Sequence, residues 1–139
     1  MSAKDRFHDV VKTALQKDGW IITDEPLQLP IERLTSLYID FGAEKLIIAQ
    51  RENQKIAVEV KSFLGASTLS EFHTAIGQCL NYRYALEELD PERKLYLAVP
   101  SAIYADFFSV PFIQSVIRKS QINLVVYDVA REELIKWQN

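Results

Sequence analysis

The apolar segment Ile56–Ser62 limits the possible folds most strongly, because it carries two charges inside a sequence typical of a buried strand. Successive side chains of a strand point to opposite faces, so Glu59 and Lys61 share one face, and Val58 and Val60 share the other. A charged group is costly to bury unless another group pairs with it or uses it. The segment therefore predicts an interior strand that carries a paired or functional charge cluster.

Length and composition indicate one globular domain, which we take as residues 1–139. The net charge of −3 argues against a surface that coats nucleic acid, but it allows a local basic groove. The single Cys79 and two histidines exclude a disulfide framework and a cysteine-histidine zinc site. The sequence contains no apolar stretch that could span a bilayer, and its polar start is unlike a signal peptide, so we expect a cytoplasmic protein without membrane attachment.

The order of apolar runs and chain breakers predicts a helix, three strands, a long helix, a strand, a helix and a strand. A hairpin followed by crossover connections gives a mixed sheet with helices on both faces. This α/β arrangement corresponds to the αβββαβ core of restriction-endonuclease-like proteins, which is an analogy at the level of fold. The predicted helices are Ala3–Lys17, Ser70 (as cap) to about Leu89, and one or two short helices that include Phe112–Arg118. The predicted strands are Leu37–Asp40, Glu44–Ala49, Ile56–Ser62, Leu95–Val99 and Asn123–Tyr127, and Trp20–Ile22 is an additional short strand.

Three other segments complete this interpretation. The two prolines in Glu25–Glu32 predict a loop, and the polar residues Glu52–Lys55 predict the turn of the hairpin. The segment Glu132–Trp137 fits either a last helical turn or an edge strand.

The residues Asp40, Glu59 and Lys61 form an Asp…Glu-x-Lys pattern that is typical of metal-dependent phosphodiesterases. Magnesium prefers oxygen ligands and keeps several waters, so the two carboxylates and the Val60 carbonyl could hold Mg²⁺ or Mn²⁺. The metal would polarise a phosphoryl oxygen, and Lys61 would orient or deprotonate the attacking water. The alternative is a solvent-facing strand on which Glu59 and Lys61 pair with neighbours, since the bare pattern also occurs by chance.

The long helix carries a second pair of candidate residues, Gln78 and Tyr82. Their spacing of four residues places them on one helical face. They look like the Gln-x-x-x-Tyr motif of RecB-type nucleases, in which an amide and a phenol can bind a phosphate or steady a water. The alternative is an amphipathic helix with Tyr82 half in the core and Gln78 at its rim.

The first helix offers Asp9, because nucleases of this type often carry an acid there that points at the metal site. Asp9 could equally be an exposed helix residue, and Asp5 competes for the role. We interpret both histidines, His8 and His73, as surface residues or as residues with ordinary hydrogen-bond partners. The lysines and arginines form a solvated face by default, although they could contact phosphates: Lys45, Arg51, Lys55 and Arg83.

A dense aromatic group, formed by Tyr104, Phe107, Phe108 and Phe112, has two interpretations. It is either core or lid packing, or part of it forms a subunit interface.

Five contiguous blocks of the sequence match one known family in order: Ala3–Asp9, Lys17–Trp20, Asp40–Glu44, Ile56–Phe63 and Gly77–Tyr82. Over nearly its whole length the chain thus resembles the XisH proteins of cyanobacteria. The resemblance implies an endonuclease-like fold and a role in controlling the excision of a DNA element during heterocyst differentiation. It also implies a second small partner protein, XisI, and a separate site-specific recombinase that cuts and joins the DNA.

Three functions therefore compete. The chain is an Mg-dependent DNA endonuclease or processing factor, a non-catalytic regulator that binds DNA or an XisI-like partner, or a nuclease held inactive by its partner. The intact set of Asp40, Glu59 and Lys61 favours the first or the third, whereas the low net charge favours the second. We also expect a homodimer, since duplex DNA has two strands and twofold symmetry is the commonest arrangement of oligomers.

Overall fold

A mixed central sheet with helices on both faces organises the chain in the computed structural model, which describes residues 3–47 and 52–139, with side chains from Arg6 onward. The elements are α1 (Ala3–Lys17), β1 (Ile21–Asp24), β2 (Leu27–Leu29), β3 (Leu37–Ile39), β4 (Phe41–Ile47), β5 (Glu52–Val60), α2 (Thr68–Leu89), β6 (Lys94–Pro100), α3 (Ser101–Asp106), α4 (Pro111–Ser120), β7 (Asn123–Asp128) and β8 (Glu133–Gln138).

Within the described residues, the main sheet has the strand order β1-β4-β5-β6-β7-β8. The pairs β1/β4, β4/β5 and β7/β8 are antiparallel, whereas β5/β6 and β6/β7 are parallel. The strands β2 and β3 form a small antiparallel sheet of their own. The elements α1, β1, β4, β5, α2 and β6 follow the predicted order αβββαβ, so the predicted mixed α/β fold is confirmed.

The alternation of side chains along β5 separates two cores on the two faces of the sheet. Ala57 belongs to the core beneath α2, α3 and α4, and Val58 belongs to the core beneath α1. The neighbouring strand β6 is buried from Leu95 to Pro100, because the crossover helices α2, α3 and α4 cover one face of the sheet and α1 covers the other. The site predicted at the end of β5 therefore lies on an interior strand.

Several sequence predictions agree with these bounds. The helix predicted at Ala3–Lys17 is α1, and the segment Glu132–Trp137 belongs to an edge strand rather than to a helical turn. The strand predicted at Glu44–Ala49 is described as far as Ile47, and Ala49 and Arg51 lie outside the described residues. None of the described helices is long and apolar enough to cross a membrane.

Other predictions were wrong in detail. The residues Glu52–Lys55 begin β5 instead of forming a turn, because they pair in register with Glu44–Ile47 of β4. The predicted loop Glu25–Glu32 contains β2, whose partner β3 lies eight or more residues further along the chain. The cap of α2 is Ser67, whose Oγ accepts a hydrogen bond from the Ser70 backbone N–H.

The aromatic group divides between the core and the surface. Phe108 is fully buried, and its ring contacts those of Phe63, Phe72 and Phe107 at centroid distances of 5.5, 5.8 and 5.5 Å. Phe112, at the start of α4, is 69% exposed. The core interpretation therefore holds for Phe108, and only Phe112 of this pair is free to contact a partner.

We predict that Phe108→Ala lowers the free energy of unfolding by about 3–5 kcal/mol, because it removes a buried ring and leaves a cavity. The matched variant Phe112→Ala should change it by less than about 0.5 kcal/mol, since that ring is mostly in solvent already. Urea unfolding followed by circular dichroism measures both values. Equal losses in the two variants would contradict this division.

Candidate functional site

Asp40 lies where the chain leaves the small sheet and enters the main one, between β3 and β4. In the antiparallel pairing of β4 with β5, Phe41 lies opposite Val58. The residue before Phe41, Asp40, therefore lies beside Glu59. Its backbone N–H donates to Glu59 Oε1 at 3.2 Å, and its Oδ2 accepts from the Val60 N–H at 2.8 Å. Two hydrogen bonds therefore fix Asp40 against the end of β5.

Glu59 is a buried carboxyl group, with only 6% of the residue exposed. Its strand neighbours Ala57 and Leu97 belong to the core beneath α2. Burial, followed by the charge of Asp40, raises the pKa of Glu59 to about 7, and the Lys61 ammonium opposes this rise. Lys61 Nζ lies 3.5 Å from Glu59 Oε2, so the structure brings the three residues of the predicted Asp…Glu-x-Lys pattern together.

The Val60 carbonyl, the third predicted metal ligand, lies on the correct edge of β5. In an extended strand, the N–H and C=O groups of one residue point to the same edge. The Val60 N–H points to Asp40, whereas the next N–H, that of Lys61, donates to Ala98 O of β6. The Val60 carbonyl therefore points toward the edge where Asp40 lies.

The donor set at this place is small. Among the described residues, no group of three or more His, Cys, Asp or Glu side chains could hold a metal ion. Two carboxylates and one carbonyl nevertheless suit Mg²⁺, which is usually bound by one or two protein carboxylates and keeps several waters. The residues that are present therefore fit magnesium, and they do not fit a structural zinc site.

The helix α2 covers this site from one face. Burial and then the Glu59 charge raise the pKa of Tyr82 and of the Cys79 thiol to about 12 in each case, so both remain neutral. Gln78 shares a helical face with Tyr82, and its buried Oε1 accepts no hydrogen bond from a described residue. A buried acceptor without a partner is unusual in a native protein. Tyr82 therefore lies within electrostatic reach of Glu59 and Asp40, and Gln78 carries an unused acceptor on the same helical face.

On α1, His8 rather than Asp9 faces the site. His8 Nδ1 lies 3.9 Å from Asp40 Oδ1, and its Nε2 lies 2.9 Å from Glu25 Oε2. Asp9 is exposed, and its predicted role stays a prediction, as does that of Asp5, whose side chain lies outside the described residues. Sequence reasoning missed His8 because its partner Glu25 follows 17 residues later, in the connection between β1 and β2.

Glu25 also binds Lys12, one helical turn after His8. Lys12 Nζ lies 2.8 Å from Glu25 Oε1. The hydrogen bonds from Lys12 and then from His8 lower the pKa of Glu25. The sequence signal that could have indicated this cluster was the four-residue spacing of His8 and Lys12, which places both side chains on one face of α1.

Three other basic side chains of the sequence prediction, those of Lys45, Lys55 and Arg83, are engaged elsewhere. Lys45 Nζ donates to Asp18 O, and Lys55 Nζ lies 2.8 Å from Asp90 Oδ1. Arg83 donates to Ser120 O and Gln121 O at the end of α4. His73 is exposed on α2. Among the residues that the structure describes, the ammonium beside the carboxylates is that of Lys61.

The fold and this cluster define a mixed α/β protein whose paired carboxylates and lysine lie at the end of an interior strand. The chain belongs to the XisH protein family, whose model matches residues 1–135.

Two solved structures show the same fold. An XisH family protein from Nostoc punctiforme PCC 73102 is 48% identical, with a TM-score of 0.89, and the match covers 97% of this chain and 100% of that one. An FdxN element excision controlling factor protein from Anabaena variabilis is 50% identical, with a TM-score of 0.87, and the match covers 97% and 99%. No sequence among the curated proteins matches this chain significantly.

The raised pKa of Glu59 predicts a stability that depends on pH. A carboxyl group with a raised pKa stabilises the folded state fully below its unfolded pKa of about 4.3, and this stabilisation is lost as pH rises through about 7. Glu59→Gln mimics the protonated group, so the variant should gain up to about 3 kcal/mol over the wild type between pH 4 and pH 8. Urea unfolding in EDTA across this range measures the difference.

The exposed Glu88→Gln on α2 removes one carboxylate without changing the site, and it is the matched control. A constant difference between Glu59→Gln and wild type over the whole range would show that Glu59 has an ordinary pKa.

Proposed function

We propose that this protein is a controlling factor for excision of a DNA element, and that its site is a nuclease-type centre that uses Mg²⁺ or Mn²⁺. The observation that carries the proposal is the contact of Asp40 with the buried Glu59, next to the Lys61 ammonium. A buried acid with a raised pKa, such as Glu59, beside a second carboxylate is typical of functional sites. The relative from Anabaena variabilis, an excision controlling factor, supports the cellular role.

In this proposal Asp40, Glu59 and the Val60 carbonyl would hold the metal ion. The metal, when bound, supplies a Lewis acid for a phosphoryl oxygen and lowers the pKa of a coordinated water. The Val60 N–H holds Asp40 in place, and burial and then the charge of Asp40 oppose the ionised form of Glu59. The charged pair is therefore unfavourable by itself, and a divalent cation held by these groups would offset that cost.

Lys61, Gln78 and Tyr82 act on the phosphate and the attacking water. Lys61 is about a quarter exposed, so its ammonium reaches both Glu59 and an incoming phosphate, where it offsets developing negative charge. The unused Gln78 Oε1 can accept a hydrogen bond from a water, and the neutral Tyr82 hydroxyl can donate one.

The His8 ring orients Asp40 from the other side. It packs against the Phe41 ring, with ring centroids 4.3 Å apart and a tilt of 30°, and Glu25 holds its Nε2. A carboxylate behind an imidazole fixes the ring and its tautomer, which is how outer groups support the ligands of many metal sites. We assign His8 and Glu25 as positioning residues for Asp40.

The proposal includes partners and a compartment. The substrate is DNA, the protein acts in the cytoplasm with a site-specific recombinase system, and it binds an XisI-like protein. It also forms a twofold homodimer through the exposed apolar residues Val110 and Phe112 at the start of α4.

The chemical part of the proposal predicts that Mg²⁺ or Mn²⁺ binds the wild type and is lost in Asp40→Asn and in Glu59→Gln. Each change removes one of only two carboxylate ligands from an oxygen site, so affinity should fall by at least about tenfold. Isothermal titration calorimetry measures binding. The control Asp106→Asn removes an exposed carboxylate and should leave binding unchanged.

Cleavage is tested on duplex, single-stranded and branched DNA with the same set of variants. We expect Lys61→Gln to retain metal and to lose cleavage by about a hundredfold or more, since it removes a group that acts on the transition state. Metal binding without cleavage in the wild type would identify a non-catalytic regulator. Equal metal binding in all variants would exclude the ligand roles of Asp40 and Glu59.

The assembly part predicts that light scattering gives the mass of a dimer, and that Phe112→Ser gives a folded monomer. A single exposed aromatic side chain near the centre of an interface often carries much of the binding energy. Circular dichroism confirms the fold of the variant, and Ile135→Ser, at an exposed position on β8, is the control. A wild-type monomer at high micromolar concentration would exclude the dimer.

A further inference from the structure

A groove of about 960 Å³ lies at the other end of β5 from the candidate metal site. It opens on the face of the sheet that carries α1, beyond the residue where that helix ends. Trp20, Tyr96 and Trp137 form its aromatic wall, and Lys45, Lys94 and Gln54 line its polar side. We call it the lysine–aromatic groove. It is separated from Lys61 by about 16 Å along β5, counted from Ile56 at about 3.3 Å per residue.

The aromatic wall is rigid. Trp137 packs against Trp20 and Tyr96 with ring centroids 5.9 and 4.8 Å apart, and the Tyr96 hydroxyl donates to Asn139 Oδ1 at 2.6 Å. Trp20 and Tyr96 are buried, whereas Trp137 is only partly buried. The groove therefore offers a planar ligand one partly open indole on a fixed support.

Two ammonium groups lie over this wall. Lys45 Nζ is 5.5 Å from the Trp20 ring centroid, and Lys94 Nζ is 5.8 Å from that of Tyr96. Lys45 is already bound to Asp18, whereas Lys94 has no ion-pair partner within the part of the chain that the structure describes. Lys94 is thus the cation available to an anionic ligand.

The balance of charges around the groove limits the number of anionic groups that its ligand can carry. The three lysines that line it are balanced by Asp18, Glu52 and Glu92. A neutral balance is unsuited to a long polyanion, whose affinity depends on many unopposed cations. It does suit a ligand with one anionic group and one planar ring.

The side-chain amides of Asn53 and Gln54 add hydrogen-bonding groups to the lysine–aromatic groove. Both are exposed at the start of β5, and an amide both donates and accepts, which matches the edge of a nucleobase. Base stacking on an aromatic side chain on a sheet is a common mode of nucleotide binding.

From these contacts we propose that the lysine–aromatic groove binds a nucleoside monophosphate unit, with the base against Trp137 and the phosphate on Lys94. The unit is either a free nucleotide or the phosphorylated end of a nucleic acid strand, since both present the same chemistry. The proposal does not depend on metal binding or on cleavage at Asp40 and Glu59.

The chain provides its own probe, because its only two tryptophans, Trp20 and Trp137, both line the groove. Titration of the full chain with AMP in EDTA should quench the tryptophan fluorescence and reach saturation. Adenosine and inorganic phosphate, tested separately, should each bind at least about tenfold more weakly than AMP, because each lacks one of the two contacts. A short single strand with a 5′ phosphate then distinguishes the sources: tighter binding than AMP indicates a strand end, and equal or weaker binding indicates a free nucleotide.

The matched variants are Lys94→Gln in the groove and Lys119→Gln at the exposed end of α4. Lys94→Gln should weaken AMP binding by about tenfold, and Lys119→Gln should leave it unchanged, with both folded by circular dichroism. Lys61→Gln should also leave it unchanged, which separates this groove from the candidate metal site. The proposal is overturned if AMP and the oligonucleotide give no saturable quenching, if Lys94→Gln binds AMP as well as wild type, or if Lys61→Gln abolishes binding.

Discussion

The burial of one carboxyl group at the end of an interior strand is the constraint on which the rest of this site depends. Glu59 lies in β5, between β4 and β6, where water cannot reach it freely. Its charge is therefore opposed by burial and by the neighbouring Asp40 carboxylate, whereas the Lys61 ammonium at 3.5 Å and the hydrogen bond from the Asp40 backbone N–H favour it. A protein retains such an arrangement at a cost to stability, and functional sites are where this cost is commonly found.

The surroundings of the carboxyl pair are built from both faces of the sheet. From one face, α2 supplies Gln78 and Tyr82, and Arg83 of the same helix donates to carbonyls at the end of α4. From the other face, α1 supplies His8, which Glu25 holds in place. The site is thus supported by distant contacts on helices and not only by its own strand.

The sequence was sufficient to predict the parts that depend on local periodicity. The charges of Glu59 and Lys61 on an apolar run predicted an interior strand with both groups on one face, and the spacing of Gln78 and Tyr82 predicted their shared helical face. The segment Glu52–Lys55 was misassigned because its polar residues are typical of a turn, whereas its pairing with β4 is a tertiary effect. The role of Glu25 had no local signal, since its partners His8 and Lys12 precede it on a different element.

The junction at Asp40 has a consequence for how the chain can vary in length. The residue before it, Ile39, is paired in the small sheet, and the residue after it, Phe41, is paired in the main sheet. Inserting or deleting one residue there would turn Asp40 to the opposite face, because strand side chains alternate. The connection between β2 and β3, by contrast, is mostly exposed, and its length does not set the face on which a site residue lies. We therefore expect the fold to accept insertions and deletions in that connection and not at the acid itself.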